Sequence, residues 1–398
     1  MAEHGLYNIL MYSHDTYGLG HIRRTMSIAG HLRADDVNVL ILTGSPIAGR
    51  FSFPENVDFV RIPGMIKKTN DEYQSLSIRI DPEHALNIRK SIIMATARTF
   101  QPDLFIVDKE PLGLKREVLP TLQWLKENSP STRTVLGLRD IMDDRDTVRR
   151  DWRHRDVYRH LEELYSEIWI YGRRDIYDAV KEYDIPEQVQ EKIHFTGYLP
   201  RRGVPATVAA KTRKNFCVRT GEKMIVLTTG GGGDGFKMMD IYLALYEAEP
   251  LEGVCSVLIT GPFMPIEQRR ELAKRARPLG IKVRPFYPRM EELFAAADLV
   301  VSMGGYNTVC EILSQGTVSL IIPRDRPRQE QLIRAQALKA RGLIDCIPWK
   351  ALDVKGLRTK ITAMLDNLDQ YRLPMQGFSL DGIDVIQERL EKFREGQG

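Results

Sequence analysis

The sequence predicts two doubly wound α/β domains, and three observations support this prediction. The chain has 398 residues, more than one ordinary hydrophobic core contains. Short apolar runs alternate with helical patterns in both halves, as in repeated βαβ units. The alternation stops at Gly197-Tyr198-Leu199-Pro200 and starts again near Met224. We therefore expect two Rossmann-like domains that face each other across a cleft.

The N-terminal domain is predicted to span residues 1–197. A parallel sheet explains its pattern, because each apolar run is followed by a polar turn and then by a helix or a further run. A helix is predicted over 21–33, and strands are predicted over 6–12, 37–43, 104–107, 134–138 and 168–171.

The C-terminal domain is predicted to span residues 198–375. Its first segment, 201–221, is polar and basic and is expected to be irregular. A helix should begin near residue 236, and strands are predicted over 224–228, 254–260, 281–284, 299–302 and 318–322. Residues 376–398 should form a last helix that packs back on the first domain.

Composition limits the class of protein. Hydrophobic residues make up 43% and charged residues 28%, as in a soluble globular enzyme. The four cysteines lack metal-ligand spacing, and no apolar run approaches the length of a membrane helix. The net charge is +4, and its basic residues are dispersed among acids, so no nucleic acid partner is expected. We expect a cytoplasmic protein, compatible with peripheral contact at the inner face of a membrane.

One stretch of the second half combines several features of a nucleotide-sugar site. The predicted strand 299–302 is followed by Gly304-Gly305 and a helix, whose N-terminal amides favour a diphosphate. Glu311 lies one helical turn beyond Asn307, where its carboxylate can accept hydrogen bonds from ribose hydroxyls. Glu330 and Gln331 open the next helix and are candidates to bind the sugar.

Each domain has a further glycine loop, which follows its first predicted strand. In the second domain, the loop after 224–228 includes Gly231, Gly232 and Gly233, which permit close approach of a ligand. A flexible surface loop is the alternative. In the first domain, Gly18 and Gly20 form only part of a dinucleotide fingerprint.

His21 is the candidate general base, because it starts the first helix at the carboxyl edge of the predicted sheet. The alternative is a histidine that only caps or fills the turn. His14, earlier in the same loop, could serve instead. Asp108, Arg139 and Asp140 end other strands of this domain and are candidates for the acceptor side.

A D-x-D sequence occurs within Asp143–Asp146, and such a sequence binds a metal in some glycosyltransferases. It lies in a charge-dense segment, so a chance match is the better interpretation. The basic residues between 145 and 159 favour a solvated helix over contact with an anionic or membrane-surface acceptor.

With these residues identified, the chain resembles the GT-B glycosyltransferases, in particular the branch containing the N-acetylglucosaminyltransferase of peptidoglycan lipid II assembly. The resemblance extends over nearly the whole chain and is most specific at Gly304 to Glu311, with Pro323, Glu330 and Gln331. The other similar segments are Gly18-Leu19-Gly20-His21, Gly197-Tyr198-Leu199-Pro200-Arg201 and Gly230–Gly235.

The resemblance implies roles for individual residues. Gly304, Gly305 and Thr308 would hold the diphosphate, Glu311 the ribose, and Glu330 and Gln331 the sugar. Phe286 and Tyr287 resemble the segment whose backbone reads the base in uridine-dependent relatives. Met303 replaces a phosphate-binding histidine of plant-type relatives, so backbone amides and Arg201 would hold the phosphate.

We therefore expect an inverting, metal-independent glycosyltransferase that uses a nucleotide diphosphate sugar, with UDP as the expected nucleotide. The expected acceptor is a glycan, a lipid-linked molecule or a small molecule. Two alternatives remain open. One is a nucleotide-sugar hydrolase or 2-epimerase with the same fold. The other is a non-catalytic module that binds nucleotide sugars. The sugar, the acceptor and the oligomeric state do not follow from the sequence.

Overall fold

Two parallel sheets, one in each of two units, organise the chain in a computed structural model that describes residues 6–15, 20–50, 52–67 and 73–396. The first unit comprises Met1–Gly197 with Asp381–Gly398, and the second comprises Tyr198–Leu380. No helix within the described ranges is long and apolar enough to cross a membrane.

The first unit alternates strands and helices over most of its length. In chain order its elements are β1 (Tyr7–Ser13), α1 (Gly20–Leu32), β2 (Val37–Thr43), β3 (Val57–Arg61), β4 (Met65–Lys67), β5 (Tyr73–Ser75), α2 (Pro82–Phe100), β6 (Leu104–Asp108), α3 (Leu119–Asn128), β7 (Arg133–Arg139), α4 (Arg145–His154), α5 (Val157–Leu164), β8 (Glu167–Tyr171), α6 (Ala179–Glu182), α7 (Glu187–Gln190) and β9 (Ile193–Phe195).

The second unit repeats this alternation. Its elements are α8 (Ala206–Asn215), β10 (Lys223–Thr228), α9 (Phe236–Ala248), β11 (Val254–Ile259), α10 (Ile266–Ala276), β12 (Lys282–Arg284), α11 (Met290–Ala296), β13 (Leu299–Ser302), α12 (Tyr306–Ser314), β14 (Ser319–Ile321), α13 (Glu330–Ala340), β15 (Asp345–Cys346), α14 (Val354–Asp366) and α15 (Leu368–Arg372). The chain ends in α16 (Gly382–Glu395), which belongs to the first unit and packs against α1.

Both large sheets are doubly wound, as the sequence predicts. The first has the order β3-β2-β1-β6-β7-β8-β9, and the second has the order β12-β11-β10-β13-β14-β15. Their neighbouring strands pair in parallel. Strands β6 and β8 are buried at every position, because helices cover both faces of a parallel sheet.

The strand order reverses once in each sheet. In the first sheet the chain proceeds outward from β1 to β3 and then outward from β6 to β9. In the second sheet it proceeds from β10 to β12 and then from β13 to β15. Ligands of doubly wound sheets bind outside the carboxyl ends of the strands at such a reversal. Ligand sites are therefore expected at the carboxyl ends of β1 and β6 and of β10 and β13.

The prediction that 201–221 is irregular is wrong, because α8 occupies Ala206–Asn215. The helix packs against α11, and it buries a narrow face that contains Thr212. Nη1 of Arg213 donates to the carbonyl of Ala296 at 2.7 Å and to Oδ2 of Asp298 at 2.9 Å. Because so little of α8 is buried, most of its residues are polar, and the segment lacks the apolar periodicity that predicts a helix.

Candidate active site

The first unit places His21 and Asp108 at the reversal of its strand order. Asp108 is the last residue of β6, and His21 lies in the first turn of α1, which follows β1. Nδ1 of His21 lies 2.6 Å from Oδ2 of Asp108. The side chains are 15% and 7% exposed, respectively. A histidine and a carboxylate therefore form a largely buried pair at the edge where a ligand is expected.

The second oxygen of Asp108 is held by Arg24, which the sequence analysis did not identify. Nε and Nη2 of Arg24 donate to Oδ1 of Asp108 at 3.0 and 2.6 Å. Nη2 also lies 3.1 Å from Nδ1 of His21. The shorter carboxylate contact of Nδ1 sets the tautomer, with the proton on Nδ1 directed to Oδ2. The lone pair of the imidazole then lies on Nε2, which can accept a proton.

The environment favours the charge states that this chemistry requires. Burial lowers the pKa of His21 to about 4, although Asp108 acts in the opposite direction. Burial acts to raise the pKa of Asp108, but Arg24 and His21 outweigh it and hold the pKa well below its usual range. At neutral pH the imidazole is therefore neutral and the carboxylate ionised, as a general base and its orienting partner must be.

His14 lies beside His21 at the end of β1. The two rings meet edge-on with their centroids 5.6 Å apart. Nδ1 of His14 lies 3.4 Å from the hydroxyl of Tyr12. Burial lowers the pKa of His14 well below its ordinary value, so this ring is also neutral. The polar contact of Nδ1 in His14 is thus a hydroxyl rather than a carboxylate, which makes His21 the better base.

Asp15 is a buried carboxyl group on the same edge. It accepts hydrogen bonds from the Thr43 hydroxyl at 2.5 Å and from the Ile22 amide at 3.1 Å. Burial raises the pKa of Asp15 to about 6, although the hydrogen bonds act to lower it. Asp15 thereby fixes the start of α1 relative to β2. Of the two glycines predicted in this loop, Gly20 is the first residue of α1, whereas Gly18 lies outside the described residues.

Arg139 and Asp140 mark the end of β7, the neighbour of β6. Arg139 is the last residue of that strand and is half-buried. Asp140 is 2% exposed, and its Oδ1 accepts the Ile141 amide at 2.7 Å. Both candidates therefore share the carboxyl edge with Asp108, one strand further along the sheet.

A buried network that was not predicted from the sequence includes Tyr12, near the end of β1. The Tyr12 hydroxyl donates to Oε1 of Glu117 at 2.6 Å. Arg89 binds both oxygens of Glu117, with Nε–Oε2 at 2.6 Å and Nη2–Oε1 at 2.5 Å. The side chains of Arg89 and Glu117 are 1% and 0% exposed. A buried ion pair of this kind fixes the positions of its elements, because either partner alone would be an uncompensated charge.

The D-x-D sequence has local structural roles. Oδ1 of Asp144 accepts the Thr147 amide at 3.0 Å and caps α4. Oδ1 of Asp143 accepts the Asp144 amide at 2.9 Å. In the part of the chain that the structure describes, no three His, Cys, Asp or Glu side chains are grouped as a metal site. Each of these contacts uses Oδ1 of its carboxylate for a nearby backbone amide.

In the second unit, the Gly304-Gly305 turn lies at the reversal between β10 and β13. Gly304 has φ +71°, and a Cβ there would lie 2.5 Å from Cγ2 of Ile321. A side chain is therefore excluded both by the backbone conformation and by β14. Gly305 is the N-cap residue of α12. Asn307 and Thr308 consequently lie in the first turn of the helix.

The glycine loop after β10 lies against this helix. A Cβ on Gly230 would be 4.0 Å from the Thr308 hydroxyl. A Cβ on Gly232 would meet the carbonyl of Thr260, whereas one on Gly231 would meet Phe263 at 3.4 Å and one on Gly233 would meet nothing within 4 Å. The loop is thus packed on one side and open on the other, which suits close approach of a ligand.

Glu311 and Glu330 are buried carboxylates on successive helices. Glu311 lies on α12 and is 2% exposed, and Glu330 begins α13 and is 4% exposed. Nη2 of Arg324 donates to Oε1 of Glu330 at 3.1 Å, and the backbone N–H of Arg324 donates to Oε1 of Gln331 at 3.3 Å. Arg324 was not among the residues predicted from the sequence.

Another buried arginine that the sequence analysis missed is Arg334, on α13. Nη1 of Arg334 donates to the carbonyl of Gly304 at 3.2 Å. Its guanidinium carbon lies 5.7 Å from the centre of the Tyr306 ring. Arg334 therefore supports the glycine turn from inside the unit.

Phe286, Tyr287 and Arg201 lie apart from these contacts. Phe286 follows β12 and is 51% exposed. The ring centroids of Tyr287 and Phe216 are 5.8 Å apart. The backbone N–H of Arg201 donates to Oγ of Ser314 at 2.8 Å, at the end of α12 opposite Gly305. Nε and Nη2 of Arg201 are buried without a hydrogen-bond partner among the described residues.

Residues 226–390 match the glycosyltransferase family 28 C-terminal domain. The match includes the glycine loops, α12 and the start of α13, so it covers the whole set of donor-side candidates except Arg201.

Similar proteins with curated functions match a part of the chain. The chain is 27% identical over 181 residues to the UDP-N-acetylglucosamine--N-acetylmuramyl-(pentapeptide) pyrophosphoryl-undecaprenol N-acetylglucosamine transferase of Clostridioides difficile strain 630, which covers 45% of this chain and 44% of that protein. It is 25% identical over 185 residues to the protein of the same name from Thermoanaerobacter sp. strain X514, covering 45% and 49%. The chain thus spans about half the length of the curated relatives it matches.

Solved structures match over nearly the whole length. MurG of Acinetobacter baumannii has a TM-score of 0.64 at 12% identity, with 97% of this chain and 99% of that chain covered. A UDP-glucosyltransferase from Polygonum tinctorium has a TM-score of 0.66 at 12% identity, covering 98% and 99%. At this identity the likeness shows the fold, which is that of the GT-B glycosyltransferases. The resemblance predicted from the motifs is confirmed.

Proposed function

We propose that this chain, whose residues 226–390 match the glycosyltransferase family 28 C-terminal domain, transfers a sugar from a nucleotide diphosphate sugar to an acceptor nucleophile with inversion at the anomeric carbon. The observation that carries the proposal is the His21–Asp108 pair, with Nδ1 2.6 Å from Oδ2, at the ligand edge of the first unit. A neutral, oriented imidazole is what an acceptor hydroxyl needs in order to become a nucleophile.

The donor is assigned to the second unit. The amides at Gly304, Gly305 and Thr308 would receive the diphosphate at the N-terminus of α12. Glu311 would accept hydrogen bonds from the ribose. Glu330 and Gln331 would contact the sugar. The relatives whose names specify a donor use UDP-sugars, which makes UDP the first nucleotide to test.

The reaction is a single displacement. The acceptor oxygen attacks the anomeric carbon while Nε2 of His21 takes its proton. The bond between the anomeric carbon and the diphosphate oxygen breaks, and the nucleoside diphosphate leaves with that electron pair. Asp108 stabilises the imidazolium that forms, because its carboxylate accepts the hydrogen bond from Nδ1.

Stabilisation of the leaving diphosphate is assigned to backbone amides and cationic side chains rather than to an obligatory metal ion. Fixed N–H groups at a helix N-terminus require no reorganisation when charge develops on the leaving group. The glycines are essential to this arrangement, because a Cβ at Gly304 or Gly232 would meet protein atoms rather than solvent.

Ligand-induced thermal stabilisation tests the donor assignment. UDP, UDP-N-acetylglucosamine and UDP-glucose would be compared with the ADP, GDP and dTDP series, since a ligand of the native state raises the apparent Tm by mass action. We expect the UDP series to stabilise the chain. The absence of stabilisation by every nucleotide would contradict the proposal.

Incubation with the preferred donor alone separates transfer from the alternatives. A transferase leaves the donor largely intact until an acceptor is added, whereas a hydrolase or 2-epimerase converts it without one. A module that only binds donor gives no product with any glycan, lipid-linked or small-molecule acceptor. The anomeric configuration of a product, measured by NMR coupling constants, decides between inversion and retention.

A further inference from the structure

An ion pair in the second unit joins the segments that follow β10 and β14. Arg324 follows β14, and Asp234 immediately precedes Gly235, the N-cap residue of α9 after β10. Nη1 of Arg324 lies 2.7 Å from Oδ2 of Asp234. Because β13 lies between β10 and β14, this contact spans the strand end that leads into Gly304 and Gly305. The Arg324 guanidinium therefore lies at the same carboxyl edge of the sheet as the glycine turn.

The same guanidinium retains capacity for another partner. Its Nη2 binds Oε1 of Glu330 at 3.1 Å. Its Nε is buried and has no hydrogen-bond partner within the described ranges. The side chain of Arg324 is 28% exposed, and that of Asp234 is 46% exposed. Asp234 is thus the partner that solvent or a ligand can replace, whereas Glu330, at 5% exposure, anchors the arginine from inside.

The site needs such a cation. A diphosphate carries at least two negative charges, and backbone amides supply only partial positive charges. Met303 stands just before the glycine turn and is an apolar, buried side chain. Arg334 is directed to the Gly304 carbonyl and the Tyr306 ring. Arg324 has a planar set of donors suited to phosphate oxygens.

We propose that Arg324 is a ligand of the donor diphosphate and that Asp234 occupies its place in the unliganded protein. On binding, a phosphate oxygen takes the position of the Asp234 carboxylate at Nη1, while Glu330 continues to hold Nη2. This inference rests on the proposed function, since it assigns a further residue to the same donor site.

The competing explanation is an ion pair that only ties two loops together. The two explanations predict opposite effects of Asp234→Asn on the affinity for UDP. If Asp234 competes with the diphosphate, Asp234→Asn frees the arginine and tightens UDP binding. If the pair is a structural tie, Asp234→Asn and Arg324→Met both loosen the loops and weaken binding to a similar extent.

Isothermal titration calorimetry with UDP and with uridine tests this. We expect Arg324→Met to weaken UDP binding by about 10- to 100-fold, the effect of losing a charge-assisted hydrogen bond, and to leave uridine binding unchanged. Asp234→Asn should tighten UDP binding by about threefold or more at low salt, since a competing carboxylate is removed. Both variants weakening UDP equally would overturn the inference.

Arg275 offers a matched control in the same unit. Its guanidinium also joins two carboxylates, with Nη1 2.5 Å from Oδ1 of Asp240 and Nε 2.8 Å from Oε1 of Glu247. Its exposure, 26%, is close to that of Arg324, but it lies on α10 and pairs with α9. Arg275→Met should leave UDP binding unchanged.

Failure of this inference and of the proposed function give different results. If wild-type protein binds UDP and Arg324→Met binds it equally well, the role of Arg324 is wrong and the donor site stands. If wild-type protein binds none of UDP, ADP, GDP and dTDP, the proposed function fails, and the role of Arg324 fails with it.

Discussion

Nδ1 of His21 and Oδ2 of Asp108 lie 2.6 Å apart, although 87 residues separate them in the chain. The contact exists because β1 and β6 are neighbours at the reversal of the sheet, so that the loop after β1 meets the end of β6. Arg24 holds the other carboxylate oxygen, which leaves Oδ2 for the imidazole. A neutral base, its orienting carboxylate and a buried cation therefore form one connected group of side chains.

His21→Ala should lower turnover by about 10²- to 10⁴-fold and leave the affinity for the nucleotide sugar near that of wild type, because the imidazole acts on the acceptor proton. His14→Ala is the control, since the ring lies beside His21 but contacts a hydroxyl rather than a carboxylate. Steady-state rates and donor affinity would be measured on both variants. A larger loss of rate in His14→Ala would transfer the base to that residue, and no loss in either would direct attention to Asp140.

Asp108→Asn should impair both folding stability and turnover. The buried Arg24 would lose its charged partner, which costs about 3–5 kcal/mol, and His21 would lose the carboxylate that sets its tautomer. Glu117→Gln is a matched control, because it removes the partner of the equally buried Arg89. Urea denaturation should show a similar loss of stability in both variants.

Turnover separates the two variants. Of the two substituted carboxylates, Asp108 is the one that contacts the proposed base, so the rate per folded molecule should fall by about 10²-fold or more in Asp108→Asn, and much less in Glu117→Gln. Equal rates per folded molecule would reduce Asp108 to a structural residue.

Strands β3, β9 and β15 of the two large sheets were not predicted, but local sequence patterns predicted the other ten strands and the strand ends that carry most candidates. The Gly304-Gly305 turn is an example, because a glycine pair between an apolar run and a helix is a local signal. The pairing of His21 with Asp108 could not be predicted, since it depends on strand order across 87 residues. The pattern places both at strand ends but does not say which ends are neighbours.

Buried arginines are the residues that sequence analysis missed most consistently. Arg24, Arg89 and Arg334 are each 1–2% exposed, although arginine is a residue type that is mostly found at the surface. Their burial depends on distant partners, Asp108 and Glu117 among them, which no local pattern identifies. Arg324 was missed for the same reason, because its partner Asp234 is 90 residues away.

Metal independence is expected to hold in a direct assay. Activity in buffer treated with a chelator should match activity with added magnesium, because helix N-terminal amides and arginine side chains are assigned to the diphosphate. Asp146→Asn should have no effect on rate in either buffer, since its side chain is 80% exposed and pairs with Arg145. Reversible loss of activity on chelation, together with a loss of activity in Asp146→Asn, would instead assign a metal to the D-x-D sequence.

The donor site should divide into a nucleotide part and a sugar part. Glu311→Ala should weaken binding of UDP and of UDP-sugar alike by about 10- to 100-fold, since a charge-assisted hydrogen bond to the ribose contributes about 1.5–3 kcal/mol. Gln331→Ala should weaken binding of the UDP-sugar and leave UDP nearly unaffected. Calorimetry with both ligands distinguishes the variants, and equal losses for both ligands in both variants would show that the ribose and sugar contacts are misassigned.

Asp15 should make the first unit less stable as the pH rises. Its pKa is about 6 in the folded chain and near 3.8 when unfolded, so the folded state binds the extra proton between these values. The stability that this proton contributes is present below pH 3.8 and is lost as the pH rises through 6, a change of roughly 3 kcal/mol. Asp15→Asn, which is neutral throughout, should therefore gain most of that amount relative to wild type between pH 4 and pH 7.

Urea denaturation followed by tryptophan fluorescence measures this difference, because Trp124, Trp152 and Trp169 all lie in the first unit. The depressed pKa values of His14 and His21 act in the opposite direction, since they make the unit more stable as the pH rises towards 6.5. They are common to wild type and variant, so they cancel in the difference. A difference that stays constant from pH 4 to pH 7 would mean that Asp15 ionises near its ordinary pKa.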